Sequence, residues 1–152
     1  MDVLIANEED AKDVFGIEAA DTDIMGGKLN HEGYVSVARQ LTERFGCKAV
    51  AITLRGSISA SENNWAGMLY TGGQPFFSRN YLIRLVDRVG GGDSFGGGLI
   101  HALCKGMDEQ STIEFAVAAS CLKQTIEHDF NLVSEKEVLA LMGGNASGRV
   151  QR

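Results

Sequence analysis

The residues best suited to chemistry are three consecutive glycines followed by an acid, Gly90, Gly91, Gly92 and Asp93. An apolar run leads into them and a helical pattern follows, so a sharp turn is predicted with a helix beginning at Asp93. Glycine brings backbone N–H groups close to a ligand because it has no Cβ. The first N–H groups of a helix are free and carry the positive end of its dipole. The turn is therefore predicted to bind an anion such as a phosphate.

Asp93 places a carboxylate beside this predicted anion site. The arrangement suits a general base that takes a proton from a nucleophile attacking the bound phosphate. Two alternatives stay open from the residues alone. Asp93 could be only the N-cap of the helix, or the glycine spacing from Gly90 to Gly96 could belong to a dinucleotide-binding turn. A dinucleotide site also calls for an acid at a strand end about 20 residues later, and that region holds Glu109 and Glu114 at a helix start.

A second candidate site follows the apolar residues 3–6, which are predicted to form a buried strand. Asn7, Glu9 and Asp10 come directly after this strand. Carboxylate and amide oxygens in such a position can hold Mg²⁺, which keeps several waters and takes few protein ligands. The same residues also suit the solvated, acidic first turn of a helix running to Phe15, and both interpretations stay open.

A third candidate site is the junction Thr53–Ser57, at the end of the apolar, β-branched residues 48–54. This run is predicted to be a strand of a parallel sheet that is covered on both faces, turned by Arg55, Gly56 and Ser57. Junctions of this type line the ligand crevice of open α/β sheets. Arg55 either contacts a phosphate or is simply solvated.

The elements before the glycine turn are predicted from apolar spacing and turn residues. Apolar residues at helical intervals predict a helix from Tyr34 to Phe45, ended by Gly46. A β-rich section follows, with turns predicted at Asn63-Asn64 and Gly72-Gly73. Its strands are predicted over residues 57–60, 65–70 and 76–86.

Three helices are predicted from the glycine turn onward. The first ends near Gly106, and the second begins with a capping box of Ser111 and Glu114 and reaches about residue 124. The second helix is apolar almost all round and is predicted to be buried. A second capping box of Ser134 and Glu137 predicts the last helix, which residues 143–144 stop.

The composition favours a single cytoplasmic domain. The 152 residues carry a formal net charge of −6, with 44% hydrophobic and 22% charged residues, which argues against bulk binding to nucleic acid or to an anionic membrane. Cys47, Cys104 and Cys121 are isolated, as is typical of reduced thiols. No run of about 18 apolar residues predicts a membrane span, and no signal pattern is present. Residues 1–144 are predicted to form the domain and residues 145–152 a flexible tail.

Taken in order, the three candidate sites resemble the C-terminal half of the PfkB (ribokinase-like) carbohydrate kinases. Members of that family carry an N-x-x-E turn, a T-L-G strand end and a D-T-x-G-A-G-D signature, and residues 87–93 here are D-R-V-G-G-G-D. Residues 86–99, with residues 122–125 and 129–132 downstream, look most like those of 2-keto-3-deoxygluconate kinases. The resemblance implies a ribokinase-like three-layer α/β/α fold with a mostly parallel sheet, of which this chain would be the C-terminal nucleotide-binding portion.

The resemblance also implies a role for each candidate residue. Asp93 would be the general base for a sugar hydroxyl, and the N–H groups of Gly90, Gly91, Gly92 and Asp93 would form the anion hole. The residues implied to bind the nucleotide are Thr53, Arg55, Gly56, Cys121 and Asn131. Those implied to act on Mg²⁺ through water are Asn7, Glu9 and Asp10. The expected cofactors are ATP and Mg²⁺, and the expected reaction is phosphorylation of 2-keto-3-deoxygluconate to its 6-phosphate.

The length of the chain sets a further expectation. Members of the family are longer, and their N-terminal half supplies the first strands of the sheet, the lid and most sugar contacts. We therefore expect this chain to be a portion of such a protein, to bind ATP weakly and not to phosphorylate sugar by itself. An exposed sheet edge would favour a homo-oligomer. The alternatives from other classes are a dinucleotide-binding oxidoreductase domain and a non-catalytic binding or assembly fragment.

Overall fold

The structure is a computed structural model that describes residues 1–7, 13, 16 and 31–143. The strands within these residues are β1 (Val3–Ala6), β2 (Ala49–Ser57), β3 (Glu62–Thr71), β4 (Gln74–Phe77) and β5 (Tyr81–Arg84). The helices are α1 (His31–Phe45), α2 (Gly91–Cys104), α3 (Glu109–Lys123) and α4 (Glu135–Met142). The helix predicted to run to Phe15 and the tail of residues 145–152 lie outside the described residues.

The five strands form one mixed sheet. β1 and β2 are parallel, with Val3 opposite Ala49, and β3 is antiparallel to β2 over its whole length. The end of β3 pairs with β4 and its start pairs with β5, both antiparallel. The parallel pair matters for the site, because it brings the carboxyl ends of β1 and β2 to the same edge of the sheet.

Helices cover both faces of the sheet. Side chains of β2 alternate between the two layers, because successive residues of a strand point to opposite faces. Val50, Ile52 and Leu54 pack in the cluster that contains α1, whereas Ala49 and Ala51 pack in the cluster that contains α2 and α3. The predicted three-layer α/β/α class is confirmed, and within this portion of the fold the predicted parallel pairing is seen at β1 and β2.

Several predicted elements are confirmed. Helix α1 ends at Phe45, followed by Gly46 with φ of 63°. Helix α3 is buried, as its apolar pattern predicts. Helix α4 has the predicted capping box, in which Ser134 and Glu137 each bond the other's backbone N–H. None of the helices in the described residues is long and apolar enough to cross a membrane.

Predicted boundaries are wrong at the end of β2, at the start of β3 and at the starts of α2 and α3. Arg55, Gly56 and Ser57 continue β2 instead of turning it, and Asn63 lies inside β3. These segments are strands because they pair with each other, with Arg55 opposite Trp65 and Ser57 opposite Asn63.

The other two boundary errors concern helix starts. Helix α2 begins at Gly91, two residues before the predicted start. Helix α3 begins at Glu109, because Asp108 is its N-cap and accepts the Ser111 N–H at 2.9 Å. Ser111 is therefore inside the helix, where its hydroxyl donates to the same Asp108 carboxylate at 2.7 Å.

Candidate active site

Helix α2 begins without a side-chain cap. Its N-cap is Gly90, whose carbonyl oxygen accepts the Ser94 N–H at 2.9 Å. The Gly91 N–H donates to the Arg88 carbonyl oxygen at 3.2 Å and closes the turn. The N–H groups of Gly92 and Asp93 therefore remain as the free donors of the first helical turn, with no acceptor among the described residues. Since Gly90 occupies the N-cap position, the alternative in which Asp93 is only the cap is wrong.

Gly90 cannot be replaced without moving the backbone around it. Its φ is 74°, in the left-handed region that L side chains rarely adopt. A Cβ at this position would lie 2.3 Å from the Asp129 carbonyl oxygen. At Gly92, by contrast, a Cβ would meet nothing within 4 Å. The turn therefore needs glycine at its start for close contact, and leaves open space beside the free N–H groups.

The start of α2 forms part of two cavities. The first, with a volume of about 220 Å³, is called the arginine cavity here. It lies at the edge of the sheet where β1 and β2 end. The residues that line it are Asn7, Thr53, Arg55, Asn63, Trp65, Arg88, Gly91, Gly92 and Gln124. The structure thus brings together the predicted anion turn, the predicted junction after β2 and the first residue of the predicted metal turn.

The arginine cavity is suited to a polyanion. Arg55 and Arg88 are both exposed at its wall, and guanidinium groups bind phosphate oxygens in bidentate geometry. The Gly92 N–H and the positive end of the α2 dipole lie on the same side. Trp65 closes the cavity, held by a hydrogen bond from its Nε1 to the Ser120 hydroxyl oxygen at 2.6 Å.

The second cavity is called the aspartate cavity here, and has a volume of about 370 Å³. Gly90 and Asp93 contribute to it from the start of α2, and Asp129 and Asn131 contribute from the segment that follows α3. The Asn131 Nδ2 donates to the Ser94 hydroxyl oxygen at 2.6 Å, which ties this segment to α2. At the helical end, Glu135 lies 3.5 Å from His101 Nε2 and 3.4 Å from Lys105 Nζ.

The two cavities divide the predicted site residues in an unexpected way. Asn131 lines the aspartate cavity, whereas Thr53 and Arg55 line the arginine cavity. The predicted contact of Asn131 with the nucleotide stays a prediction. Cys121 lines neither cavity, since its thiol is packed in the core cluster with Trp65. Burial raises the pKa of the Cys121 thiol to about 12. Gly56 lies next to the cavity on β2, with its Cα facing the Asn64 side chain.

The predicted metal turn is described in part. Asn7 lies in the arginine cavity, whereas Glu9 and Asp10 lie outside the described residues. Among the residues that the structure describes, no group of three or more His, Cys, Asp or Glu could hold a metal ion directly. The Asn7 amide next to two arginines fits Mg²⁺ only as an ion bound mainly by phosphate oxygens and water, which is the ordinary coordination of Mg²⁺ at nucleotides.

Sequence reasoning missed four residues of the arginine cavity, namely Asn63, Trp65, Arg88 and Gln124. Asn63 and Trp65 are two apart on β3 and so share one face of the strand. They lie opposite Ser57 and Arg55. The sequence would have predicted this pairing if the predicted strands had been as long as β2 and β3 are in the structure. No local sequence pattern predicts that Asp129 and His101 line the aspartate cavity. They come together there because α2 packs against the segment that follows α3.

A pair of loops supports the glycine turn. The double loop, as it is called here, consists of residues 85–90 and 123–129. The Gln124 carbonyl oxygen accepts the Val86 N–H at 3.0 Å and the Asp87 N–H at 3.3 Å. The Asp87 carboxylate accepts the Val89 N–H at 3.0 Å and the His128 N–H at 3.1 Å. His128 has a φ of 66°, a left-handed conformation that costs a non-glycine residue about 1–2 kcal/mol.

The hydrogen bonds of the double loop favour an ionised Asp87. The Val89 N–H is the largest cause that holds the pKa of Asp87 below its usual value. Desolvation opposes it, and the His128 N–H and the charges of Lys123 and His128 add to it. A charged Asp87 is thus part of the scaffold that fixes the glycine turn.

Comparison with known proteins shows which family this chain matches. The family model described as pfkB family carbohydrate kinase matches residues 1–127. A search of curated protein sequences gives no significant match.

Solved structures give close structural matches. A 2-dehydro-3-deoxygluconokinase from Thermotoga maritima has 49% identity and a TM-score of 0.86, with 95% of this chain and 42% of that chain covered. A PfkB family carbohydrate kinase from Listeria grayi has 30% identity and a TM-score of 0.78, covering 94% of this chain and 41% of that one. Phosphofructokinase-2 from Escherichia coli has the same fold at 14% identity, with a TM-score of 0.72 and coverage of 95% and 41%. The chain spans about two fifths of the length of these relatives.

Proposed function

The chain belongs to the pfkB family of carbohydrate kinases, and from this membership we propose that it forms the ATP-binding and phosphoryl-transfer part of a sugar-acid kinase. One observation carries the proposal. The start of α2 lines a cationic cavity with Gly91 and Gly92 and a second cavity with Gly90 and Asp93. Phosphoryl transfer needs a bound phosphate donor and, in line beside it, an acceptor hydroxyl with a base, and the start of α2 borders a cavity suited to each.

The arginine cavity is the donor side in this proposal. Arg55 and Arg88 bind the phosphates of ATP, and the Gly92 and Asp93 N–H groups face the transferring γ-phosphoryl. Negative charge grows on the phosphoryl oxygens during transfer, and donors that are already fixed in place stabilise it without reorganisation. Mg²⁺ would be held at Asn7 through water and at the phosphates, where it neutralises charge on the leaving group. Thr53 and Gly56 border the nucleotide, whereas Cys121 makes no contact with it because it is buried in the core.

Asp93 is the general base in this proposal. Its carboxylate takes the proton of the acceptor hydroxyl while the oxygen of that hydroxyl forms a bond to the γ-phosphorus. The bond from the γ-phosphorus to the bridging oxygen breaks, and ADP leaves. Asn131 belongs to the acceptor side, where its amide and the Asp129 carboxylate can bind hydroxyl groups of a sugar.

The substrate that the comparisons favour is 2-keto-3-deoxygluconate, phosphorylated at its 6-hydroxyl. The relative from Thermotoga maritima with 49% identity is a 2-dehydro-3-deoxygluconokinase, which acts on the same compound under another name. The polar groups of the aspartate cavity suit a polyhydroxylated acceptor, and no described residue of that cavity supplies a strong anchor for a substrate carboxylate. We infer that further residues of a complete kinase hold the carboxylate.

The isolated chain should therefore bind ATP and leave sugar unmodified. The face of α2 next to Asp93 is open, with Ile100 58% exposed and Leu103 42% exposed, and Ile5 on β1 is 42% exposed beside it. We propose that this exposed apolar surface drives self-association of the isolated chain. Sedimentation should show oligomers that the change of Ile100 to Lys reduces, and a strictly monomeric chain would contradict this part of the proposal.

Fluorescence of Trp65 tests the donor side directly. It is the single Trp of the sequence and lines the arginine cavity, so its emission should change when ATP and Mg²⁺ bind. NAD serves as the comparison ligand, because a dinucleotide-binding domain would prefer it. A response to NAD and none to ATP would overturn the proposal. Sugar-dependent release of ADP by the isolated chain would overturn the separate claim that the chain is inactive alone.

A further inference from the structure

Lys123 is buried to an extent that is rare for a lysine. It is the last residue of α3, and its side chain is 0% exposed, among the largest fully buried side chains of the described residues. Removing an ammonium group from water costs several kcal/mol unless polar partners replace the water. A chain that keeps such a residue needs a compensating interaction at that place, and the proposed mechanism does not use Lys123.

The partners of Lys123 all belong to the double loop. Its Nζ donates to the Ile126 carbonyl oxygen at 3.3 Å, across the turn that follows α3. The next residue, Gln124, accepts the Val86 and Asp87 N–H groups at its carbonyl oxygen. Asp87 in turn holds the two halves of the double loop together through the N–H groups of Val89 and His128, and the charge of Lys123 is one of the smaller causes that lower the pKa of Asp87. Lys123 therefore adjoins Gln124, where the two loops meet, and its ammonium group is bonded within the second loop.

The position of the double loop decides the position of the glycine turn. Gly90 sits against the Asp129 carbonyl oxygen with no room for a Cβ, and the Gly91 N–H is bonded to the Arg88 carbonyl oxygen. Both partners, Asp129 and Arg88, belong to the double loop. A shift of about 1 Å in either loop would move the free N–H groups of Gly92 and Asp93, and displacements of that size are enough to weaken an oxyanion-type site.

We propose that Lys123 is a positioning residue, a buried cation that locks the double loop and thereby holds the Gly92 and Asp93 N–H groups in place for the phosphate. The link to phosphate rests on the proposed function, whereas the link to loop order does not. Lys123 touches neither cavity, and its effect passes through Asp87 and the Ile126 carbonyl oxygen. In this proposal the positive charge of Lys123 orders the loops. An apolar side chain of similar length would fill the same space without ordering them.

The first experiment replaces Lys123 by Met, which keeps the length of the side chain and removes the charge. Hydrogen exchange of the ligand-free chain should become faster at the amides of residues 87–94 and 124–129 and remain unchanged in β2 and β3. Trp65 fluorescence should show about tenfold weaker binding of ATP with Mg²⁺, because the Gly92 and Asp93 N–H groups are no longer held in place for the phosphate. Lys48→Met is the matched control, because Lys48 is exposed and pairs with Asp2 at 2.7 Å.

The second experiment is chemical rescue. Lys123→Ala leaves a space that n-propylammonium fills with an equivalent chain and charge. Adding n-propylammonium chloride should restore ATP binding and slow exchange in Lys123→Ala, without effect on the unaltered chain. Tetramethylammonium chloride at equal ionic strength is too bulky to enter and should not restore either property.

The outcomes separate the two claims. Exchange that stays unchanged in Lys123→Met, or that rises equally in β2 and β3, shows that Lys123 has no positioning role. Loss of folding in Lys123→Met also overturns the proposal, because it makes the residue a global stabiliser. An unaltered chain that does not bind ATP refutes the proposed function, while hydrogen exchange still decides whether Lys123 orders the double loop.

Discussion

The two cavities that meet at the start of α2 differ in how they are built. The arginine cavity is formed by strand ends, by the glycine turn and by two arginines. The aspartate cavity is formed mainly by helix surfaces and the segment after α3, and carries three carboxylates, those of Asp93, Asp129 and Glu135. The first is thus suited to an anion and the second to hydroxyl groups.

The difference shows which half of the reaction this chain can carry. Strand ends and a helix start are fixed by the sheet, so the donor side is positioned by the fold itself. The acceptor side depends on α2, whose face beyond Asp93 is exposed at Ile100. We therefore expect changes on the donor side to affect ATP binding in the isolated chain. Changes on the acceptor side should affect turnover, and only in a complete kinase.

The largest effect is expected for Asp93→Asn in a complete kinase, made by joining this chain to the part of the Thermotoga maritima relative that it does not span. Loss of a general base typically lowers kcat by about 10²- to 10⁴-fold. ATP affinity should stay the same, because the Asp93 N–H remains. Sugar-dependent release of ADP measures turnover, with Glu109→Gln as an exposed control. Full turnover in Asp93→Asn would remove the functional contrast between the cavities.

The next largest effect is expected for a change of Gly90, because its position fixes the start of α2, which borders both cavities. Gly90→Ala forces a left-handed residue with a side chain against the Asp129 carbonyl oxygen, and should lower the free energy of unfolding by roughly 2–4 kcal/mol. Gly92→Ala is the matched control, since its Cβ meets nothing within 4 Å. Its stability should remain within about 1 kcal/mol of the unaltered chain. Urea denaturation measures both, and equal stabilities would mean that the turn does not require glycine at its start.

The same contrast explains what the sequence could predict. The glycine turn, the end of α1 at Gly46 and the capping box of Ser134 and Glu137 depend on residues within a few positions of each other, and all were predictable. Arg55 in β2 was not, because its strand conformation comes from pairing with Trp65 in the next strand.

Nonlocal contacts also decide which side chains meet at the site and at the start of α3. Asn131 lines the aspartate cavity because its amide donates to the hydroxyl oxygen of Ser94, 37 residues away in the chain. Its predicted place beside the nucleotide stays a prediction. The predicted capping partner Glu114 instead pairs with Arg79, at 3.4 Å, and accepts its N–H. A local pattern identifies the phosphate turn, whereas tertiary packing decides which side chains surround it.

A moderate effect is expected for Arg55→Met, which removes a cation from the donor side only. ATP affinity measured by Trp65 fluorescence should fall about tenfold, as expected for loss of a charge-assisted contact to phosphate. Its dependence on salt should also weaken. Arg39→Met on the exposed surface of α1 is the control. Asp129→Asn should leave ATP affinity unchanged, and a loss equal to that of Arg55→Met would show that the two cavities do not act separately.

The smallest effects are expected for two carboxylates whose pKa values are lowered, one in the double loop and one outside it. The hydrogen bond from the Val89 N–H is the main cause that lowers the pKa of Asp87. The hydrogen bond from the Ser111 N–H is the main cause that lowers the pKa of Asp108, at the start of α3. A lowered pKa in the folded state means that each charge stabilises the fold above the unfolded value of 3.8. That stabilisation is lost as the pH falls through the still lower folded value. Thermal melts should therefore show Asp87→Asn and Asp108→Asn less stable than the unaltered chain at pH 7, with both differences shrinking below about pH 4.

Only Asp87→Asn should also weaken ATP binding, because Asp87 supports the glycine turn whereas Asp108 caps a helix away from it. The ratio of the two ATP affinities at pH 7 measures how much of the donor side depends on the double loop. Equal affinities in the two variants would show that the glycine turn holds its shape without Asp87. Hydrogen bonds to the Gln124 and Arg88 carbonyl oxygens would then suffice to place it, and the donor side would be still less dependent on the rest of the protein than the acceptor side.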